Sequence, residues 1–167
     1  MVSILVKSII NIAGIIKLMK TYIFDTNVII DLLLQEIIKI TSQQKEKIEL
    51  FQRVQPNQRI IAISTLAEFS SVMQKSIPYQ FKIHEVKYKN FINHVTSKFI
   101  DEADKLSIVF FPERDEFLSA KDLYLKISAD SKSPKRIDFA DSLLIAIAKK
   151  TGAEVVTNDQ ELQKMLG

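Results

Sequence analysis

The sequence predicts a single α/β domain with a central, mostly parallel sheet and helices on both faces. Short runs of β-branched and aromatic residues alternate with longer segments of helical periodicity, as in parallel strands joined by crossover helices. The strand-like runs are apolar at consecutive positions, which is typical of strands that are covered on both faces. The chain has 167 residues, 47% hydrophobic and 26% charged, enough for one domain with a substantial core.

Taken in chain order, the elements follow from local patterns. The runs YIF, RIIAI, SIVFF and EVV predict strands at residues 21–24, 59–63, 107–111 and 154–156. Helical periodicity predicts helices at residues 27–35, 43–54, 65–75, 83–100, 114–129, 138–150 and 160–165. Pro78 and Pro112 are expected to punctuate these segments, Gly152 is a helix C-terminal signal, and residues 129–136 are the clearest loop.

The first 18 residues are expected to form an N-terminal appendage of unknown role, preceding a domain over residues 19–167. The appendage is rich in Ile, Leu and Val, but Lys7, Asn11 and Lys17 interrupt the apolar run. It is shorter than the roughly 20 uncharged residues of a membrane span and lacks the features of a signal peptide. We therefore expect a cytoplasmic protein without membrane association, and a membrane or export role is the less favoured interpretation.

Composition excludes several kinds of site. The chain contains no cysteine, which rules out disulfide scaffolds, zinc–thiolate sites and thiol nucleophiles. A formal net charge of +3 allows a nucleic-acid partner without indicating one. Lys132, Lys135 and Arg136 lie just before the helix predicted from residue 138 and could hold phosphates, although a solvated loop is the favoured interpretation.

Four acidic side chains fall at the carboxyl edge of the predicted sheet. Asp25 ends the first strand, Asp159 follows the last, and Glu68 and Asp141 lie in first turns of predicted helices. Carboxyl ends of parallel strands form the crevice where ligands bind, so these acids could converge on one pocket. Close carboxylates raise one another's pKa unless a divalent cation neutralises them. An all-oxygen set without Cys or paired His selects Mg²⁺ or Mn²⁺.

Helix capping is a competing explanation for the same acids, since acids and hydroxyls are enriched at helix N-termini. Thr65 to Glu68 matches a capping box, and Asp138 to Asp141 approximates one. Asp25 precedes a predicted helix, and Asp159 could cap the last one. Taken singly, capping explains each acid as well as a site does, but their shared placement at strand ends favours a site.

Three motifs in this order, FDTNVIID at residues 24–31, ISTLAEF at 63–69 and DFADSLLIAIAKKTGAEVVTND at 138–159, resemble the PIN domain family, most closely its VapC-like toxins. The resemblance covers residues 20–167 and implies a three-layer α/β/α fold, Mg²⁺- or Mn²⁺-dependent endoribonuclease activity on RNA, and an antitoxin protein as partner. Carried over by motif, the catalytic and metal-binding acids are Asp25, Glu68, Asp141 and Asp159. The supporting polar residues are Thr26, Asn27, Ser64, Thr157 and Asn158.

The resemblance leaves other functions open. The main alternative is a catalytically silent PIN-like module that binds RNA or protein, and a phosphatase or DNA nuclease could use the same metal cage. The presence of all four acids favours the enzyme. Asp25 and Asp159 are expected to bind the metal directly, and Glu68 and Asp141 directly or through water. The sequence leaves open whether the protein is a homodimer.

Overall fold

Four parallel strands form the centre of the fold. A computed structural model describes residues 20–80, 86–129 and 137–166. Its strands are β1 (Tyr22–Phe24), β2 (Arg59–Ala62), β3 (Ile108–Phe110) and β4 (Glu154–Val156), in the order β3-β2-β1-β4, and all neighbouring pairs are parallel. Each strand ends within one residue of its predicted bounds, so the predicted sheet is confirmed.

Helices connect the strands. After β1 come α1 (Thr26–Leu34), α2 (Ser42–Arg53) and a 3-10 turn (Pro56–Gln58). After β2 come α3 (Ile63–Ser71), a π-helical turn (Val72–Ser76), α4 (Ile77–Gln80), α5 (Val86–Asp101) and α6 (Ala103–Leu106). After β3 come α7 (Arg114–Ala129) and α8 (Phe139–Thr151), and α9 (Gln160–Leu166) follows β4. No helix in the described ranges is both long and apolar enough to cross a membrane.

Some predictions fall on parts of the chain that the structure does not describe. They concern the N-terminal appendage, the start of the helix predicted from residue 83, and the loop that ends at residue 136 with its three basic residues, Lys132, Lys135 and Arg136. These lie outside the described residues and stay predictions.

Helices cover both faces of the sheet, which confirms the three-layer α/β/α architecture. Successive strand side chains point to opposite faces. Phe24 and Ile61 join a core built with α1, α2, α3 and α5. Ile23, Ile60 and Ala62 join a second core built with α7, α8 and α9. All five side chains are buried, which explains why the strands are apolar at consecutive positions.

The helix that carries Glu68 begins earlier than predicted. β2 runs directly into α3, whose first residue is Ile63 and whose N-cap is Ala62, without a capping side chain. The predicted capping box from Thr65 to Glu68 is therefore wrong, and Glu68 lies in the second turn. The extended β2 backbone passes into the helix without an intervening loop, and Thr65 is buried in the first turn. Capping does not explain why an acid stands at position 68.

The same helical segment also continues beyond its predicted end at residue 75. A π-helical turn follows α3 and leads into α4, which contains Pro78. In a regular α-helix the proline ring would clash with the carbonyl four residues earlier. The widened turn lies directly before Pro78, so the proline stands near the start of a new helical segment. Pro78 thus marks a change of helical geometry and not an end.

The strand order places a topological switch point between β1 and β4. The chain runs from β1 outward to β2 and β3, and β4 then pairs with the opposite side of β1. In such sheets a ligand crevice lies beyond the carboxyl ends of the strands at this point. Asp25 follows β1 there, and its backbone N–H donates to the carbonyl of Val156, the last residue of β4, at 3.0 Å.

Candidate active site

Three acids from distant parts of the sequence line one small cleft at the carboxyl edge of the sheet. Asp25 follows β1, Glu68 projects from the second turn of α3, and Asp141 projects from the first turn of α8. The remaining wall of the cleft is formed by Ser64, Thr65, Ala140 and Leu144. Strand order brings these segments together, because β1 and β2 are neighbours and α8 precedes β4 on the other side of β1.

Asp159 lies outside the lining of this cleft but close to it. Its charge contributes to raising the pKa of both Asp25 and Asp141, after larger effects of burial. One of its oxygens, Oδ1, accepts hydrogen bonds from the N–H groups of Glu161 at 2.7 Å and Leu162 at 3.2 Å. Asp159 therefore caps α9 with one oxygen. Within the described residues no hydrogen bond is donated to its Oδ2, which is available for another partner.

Asp25 is fixed by three hydrogen bonds. Its Oδ1 accepts from the Thr26 N–H at 2.6 Å, and its Oδ2 accepts from Asn27 Nδ2 at 2.7 Å and Thr157 Oγ1 at 2.6 Å. Only 9% of the residue is exposed. Burial raises the pKa of Asp25 and outweighs the hydrogen bonds, which act in the opposite direction. The side chain is thus held in one orientation, while ionisation of the buried carboxyl remains unfavourable.

The supporting polar residues join the two strand ends. Asn27 Nδ2 also donates to Thr157 Oγ1 at 3.2 Å, and Asn27 Oδ1 accepts from the Asn158 N–H at 2.9 Å. Thr157 Oγ1 in turn accepts from the Asp159 N–H at 2.9 Å. Residues 130 positions apart in sequence therefore form one polar network around Asp25.

Glu68 is tied to the same region through Thr26. The Thr26 hydroxyl donates to Glu68 Oε2 at 2.7 Å, while the Thr26 N–H serves Asp25. Burial raises the pKa of Glu68, and the charges of Asp25 and Asp138 raise it further. One threonine thus bridges two acids of the cleft. Ser64 also lines the cleft, and in the sequence it stands between the two acids.

Asp141 combines a capping role with a place in the cleft. Asp138 is the N-cap of α8, and its Oδ1 accepts from the Asp141 N–H at 2.9 Å. Asp141 Oδ2 accepts from the Asp138 N–H at 3.4 Å, so the expected capping box is confirmed. Burial raises the pKa of Asp141 to about 6, and the neighbouring charge of Asp138 is the next largest cause. Capping alone does not compensate the charge of this carboxylate.

Comparison with known proteins identifies the family. The sequence profile of the PIN domain matches residues 22–166. The chain belongs to the PIN domain family. A toxin–antitoxin complex from Klebsiella pneumoniae has a chain 18% identical to this PIN domain, covering 84% of this chain and 88% of that one with a TM-score of 0.52. VapC20 of Mycobacterium tuberculosis, a sarcin–ricin loop cleaving toxin, is 12% identical over 87% of this chain and 95% of that one, with a TM-score of 0.59.

At these identities the two structures show that the fold is shared. No curated protein matches the chain significantly. The resemblance to PIN domains read from the three motifs is therefore confirmed at the level of family and fold.

The donors in this PIN domain suit a hard divalent cation. Carboxylate, hydroxyl and amide oxygens are the ligands of Mg²⁺ and Mn²⁺. Burial raises the pKa of Asp25, Glu68 and Asp141 alike, so a nearby positive charge would favour their ionised forms. Within the described residues no three acidic or histidine side chains are arranged to hold one ion. Mg²⁺ commonly keeps several waters and one or two carboxylates, so the cleft fits such an ion with few direct ligands.

The sequence interpretation overlooked Asp31. This residue of α1 is only 6% exposed, and its Oδ2 accepts from Gln44 Nε2 at 2.8 Å and Asn158 Nδ2 at 2.6 Å. Burial raises the pKa of Asp31. A signal for it was present, because Asn27 and Asp31 stand four residues apart and so share one face of a helix in which every later residue except Asp31 is apolar.

Proposed function

We propose that this PIN domain is a Mg²⁺- or Mn²⁺-dependent endoribonuclease and the toxin of a type II toxin–antitoxin pair, acting in the cytoplasm. The observation that carries the proposal is the cleft itself. It gathers Asp25, Glu68 and Asp141 from three separate segments, with Asp159 beside them. Glu68 has no capping role, and Asp25 is held by more hydrogen bonds than a cap requires.

Each acid has an assigned role in this proposal. Asp25 and Asp159 hold the cation directly, and Glu68 and Asp141 hold it directly or through water. A bound divalent cation lowers the pKa of a water molecule and stabilises the leaving oxygen during phosphodiester hydrolysis. Asp25 is already oriented, so little reorganisation is needed when charge develops. A carboxylate that does not bind the cation directly, Glu68 or Asp141, could orient the attacking water or accept its proton.

Two proteins of the same fold support the proposal that the substrate is RNA and that the partner is an antitoxin. VapC20, which shares the fold, is a sarcin–ricin loop cleaving toxin, and the Klebsiella structure is a toxin–antitoxin complex. A net charge of +3 is compatible with binding a polyanion. The carboxylates themselves do not distinguish RNA from DNA, because they act on the phosphate and its water.

Cleavage of RNA by the purified full-length chain tests the catalytic proposal. Total RNA and a DNA of matched sequence are incubated with Mg²⁺, Mn²⁺ or EDTA, and the product ends are mapped. We expect defined RNA cuts that require metal and disappear in Asp25→Asn. Metal-independent cutting, or equal cutting by Asp25→Asn, overturns the site. RNA binding without cleavage by the wild type identifies a silent module, and preferential DNA cleavage identifies a different nuclease.

Growth of a bacterial host tests the toxin assignment separately. Induced expression of the wild-type chain is expected to arrest growth, and Asp25→Asn expressed at the same level is not. If the chain is the toxin of such a pair, co-expression of its antitoxin should restore growth and yield a complex that co-purifies with the chain. Normal growth at verified expression of an RNA-cleaving wild type would contradict the toxin role while leaving the ribonuclease activity intact.

A further inference from the structure

We propose that Asp31 is a positioning residue for Asp25, acting through Asn158 and Asn27; this inference rests on the proposed function. Asp31 does not touch Asp25. Its Oδ2 accepts from Asn158 Nδ2 at 2.6 Å, the Asn158 N–H donates to Asn27 Oδ1 at 2.9 Å, and Asn27 Nδ2 donates to Asp25 Oδ2 at 2.7 Å. Three consecutive hydrogen bonds thus lead from a buried carboxylate to the central acid of the cleft.

The geometry makes Asn158 the point that Asp31 controls. Asn27 and Asp31 lie one turn apart on α1 and hold Asn158 at two places, by its backbone N–H and by its side-chain amide. Asn158 belongs to the segment after β4, between Thr157, which also binds Asp25, and Asp159, the other proposed direct ligand. Fixing Asn158 against α1 therefore fixes the spacing between the two strand ends that carry Asp25 and Asp159.

The orientation of the Asn158 side chain supports a positioning role for Asp31. An ionised carboxylate only accepts hydrogen bonds, so Asp31 selects the orientation that turns Nδ2 toward it. That choice leaves Asn158 Oδ1 buried without a hydrogen-bond partner in the described residues. A buried acceptor without a partner is unfavourable, so the bond to Asp31 outweighs a local cost.

One oxygen of Asp31 accepts both hydrogen bonds, so a substitution can remove the charge without removing the bonds. Gln44 Nε2 and Asn158 Nδ2 both donate to Oδ2. In Asp31→Asn the single amide oxygen can take the place of Oδ2 and keep both bonds, without the charge. In Asp31→Ala both donors lose their acceptor. A positioning role therefore predicts that Asn substitutes for Asp31 and that Ala does not.

Gln44→Ala is the matched control. It removes the other hydrogen bond to Asp31 and one of the two bonds of the capping box at the start of α2, the one that Gln44 Oε1 accepts from the Thr41 N–H, so it loosens the same region from the outer side. It leaves the bond that Asn158 Nδ2 donates to Asp31 in place. A general loss of stability would affect Gln44→Ala and Asp31→Ala alike, whereas a positioning role affects Asp31→Ala alone.

The experiment measures Mn²⁺ affinity by calorimetry and amide hydrogen exchange at the Asn158 N–H, in full-length wild type and each variant. For Asp31→Ala we expect Mn²⁺ binding weakened at least about 10-fold, as for lost outer-shell partners of metal ligands. Exchange at Asn158 should also accelerate at least about 10-fold. Asp31→Asn and Gln44→Ala should stay within about 3-fold of wild type in both measurements, because the bond to Asn158 remains.

The other outcomes overturn the inference. Equal losses in Asp31→Ala and Gln44→Ala would show general loosening, and equal losses in Asp31→Asn and Asp31→Ala would show that charge matters and position does not. If Asp31→Ala does not fold, Asn158→Ala breaks the same bond from its other end and must show the same weaker Mn²⁺ binding. A wild type that neither binds Mn²⁺ nor cuts RNA refutes the proposed function, and the exchange measurement still decides whether Asp31 holds Asn158.

Discussion

The two sides of the cleft hold their acids in different ways. On the strand side, Asp25 receives three hydrogen bonds, from Thr26, Asn27 and Thr157, none longer than 2.7 Å. On the helix side, the Asp141 carboxylate accepts one bond of 3.4 Å from the Asp138 N–H. Burial nevertheless raises the pKa of both acids. The strand side is preorganised by hydrogen bonds, whereas the helix side is held loosely and its charge responds to its surroundings.

The difference follows from how the chain builds each side. Asp25 lies at the switch point, where the ends of β1 and β4 are adjacent and their following residues can bond to one another. Among the described residues, Asp141 is hydrogen-bonded only to the start of its own helix, so its position depends on how α8 packs against the sheet. We infer that the strand side sets the geometry of the site and that the helix side adjusts to cation, proton or substrate.

Asp25→Asn is expected to have the largest effect on activity. It removes the charge of the acid that three hydrogen bonds hold in place, so RNA cleavage should fall by about 1,000-fold. Such a loss is comparable with losing a key group of a preorganised site. Without metal, the free energy of unfolding should change by less than about 1 kcal/mol. The lost bond from the Thr26 N–H is offset by relief of a buried charge. Single-turnover cleavage and denaturant unfolding in EDTA measure the two quantities. Retained cleavage would contradict the role of the strand side.

Asp141→Asn should cost less, about 100-fold in the rate of cleavage, because the helix side can adjust when one charge is lost. The matched control is Asp115→Asn, the same change in the first turn of α7, at an exposed residue outside the cleft. The control should cleave at the wild-type rate. Single-turnover rates at saturating Mg²⁺ make the comparison. A larger loss in Asp141→Asn than in Asp25→Asn would reverse the ranking of the two sides.

Sequence patterns predicted the sheet well because each strand is a short, mainly apolar run, and the two central strands, β1 and β2, are largely buried. The cleft was predictable only in outline. Strand ends located Asp25 and Asp159, but the start of α3 at Ile63 depends on β2 passing straight into a helix, and no capping residue marks it. The network through Asn158 was not predictable, because it joins α1 to a segment more than 120 residues away. Periodicity describes one element at a time and does not describe such pairings.

The helix side of the cleft should also determine how stability depends on pH. Asp141 has a pKa raised from 3.8 to about 6 in the folded chain, so below pH 3.8 the folded and unfolded states are both protonated and the group has no effect. As pH rises from 3.8 to about 6, the folded state loses stability relative to the unfolded state, because burial disfavours the ionised form of Asp141. The metal-free wild type should therefore lose stability between about pH 4 and pH 7 relative to Asp141→Asn, which has no such charge.

We expect this difference to reach about 1 kcal/mol at pH 7, after allowance for solvent screening of a half-buried carboxyl. Denaturant unfolding of both proteins in EDTA at pH 4, 5, 6 and 7 measures it, and taking the difference cancels the titrating groups that do not interact with Asp141. Saturating Mg²⁺ should abolish the advantage of Asp141→Asn. A constant difference across this range would show that the Asp141 carboxyl does not titrate as its surroundings indicate.

The smallest effect is expected at Asp138, three residues before Asp141 in the same capping box. Asn is nearly as good an N-cap as Asp, and its oxygen can still accept from the Asp141 N–H, so Asp138→Asn should change stability by only a few tenths of a kcal/mol. The charge of Asp138 raises the pKa of Asp141, so its removal should shift the pH window of the preceding experiment downward. Cleavage at neutral pH should stay within about 3-fold of wild type, since the loss is confined to a cap. Single-turnover cleavage rates of Asp138→Asn and Asp141→Asn, measured side by side, show which of the two acids is functional. If Asp138→Asn were inactive and Asp141→Asn active, the functional acid of α8 would be its cap residue, and the helix side of the cleft would begin one turn earlier than proposed.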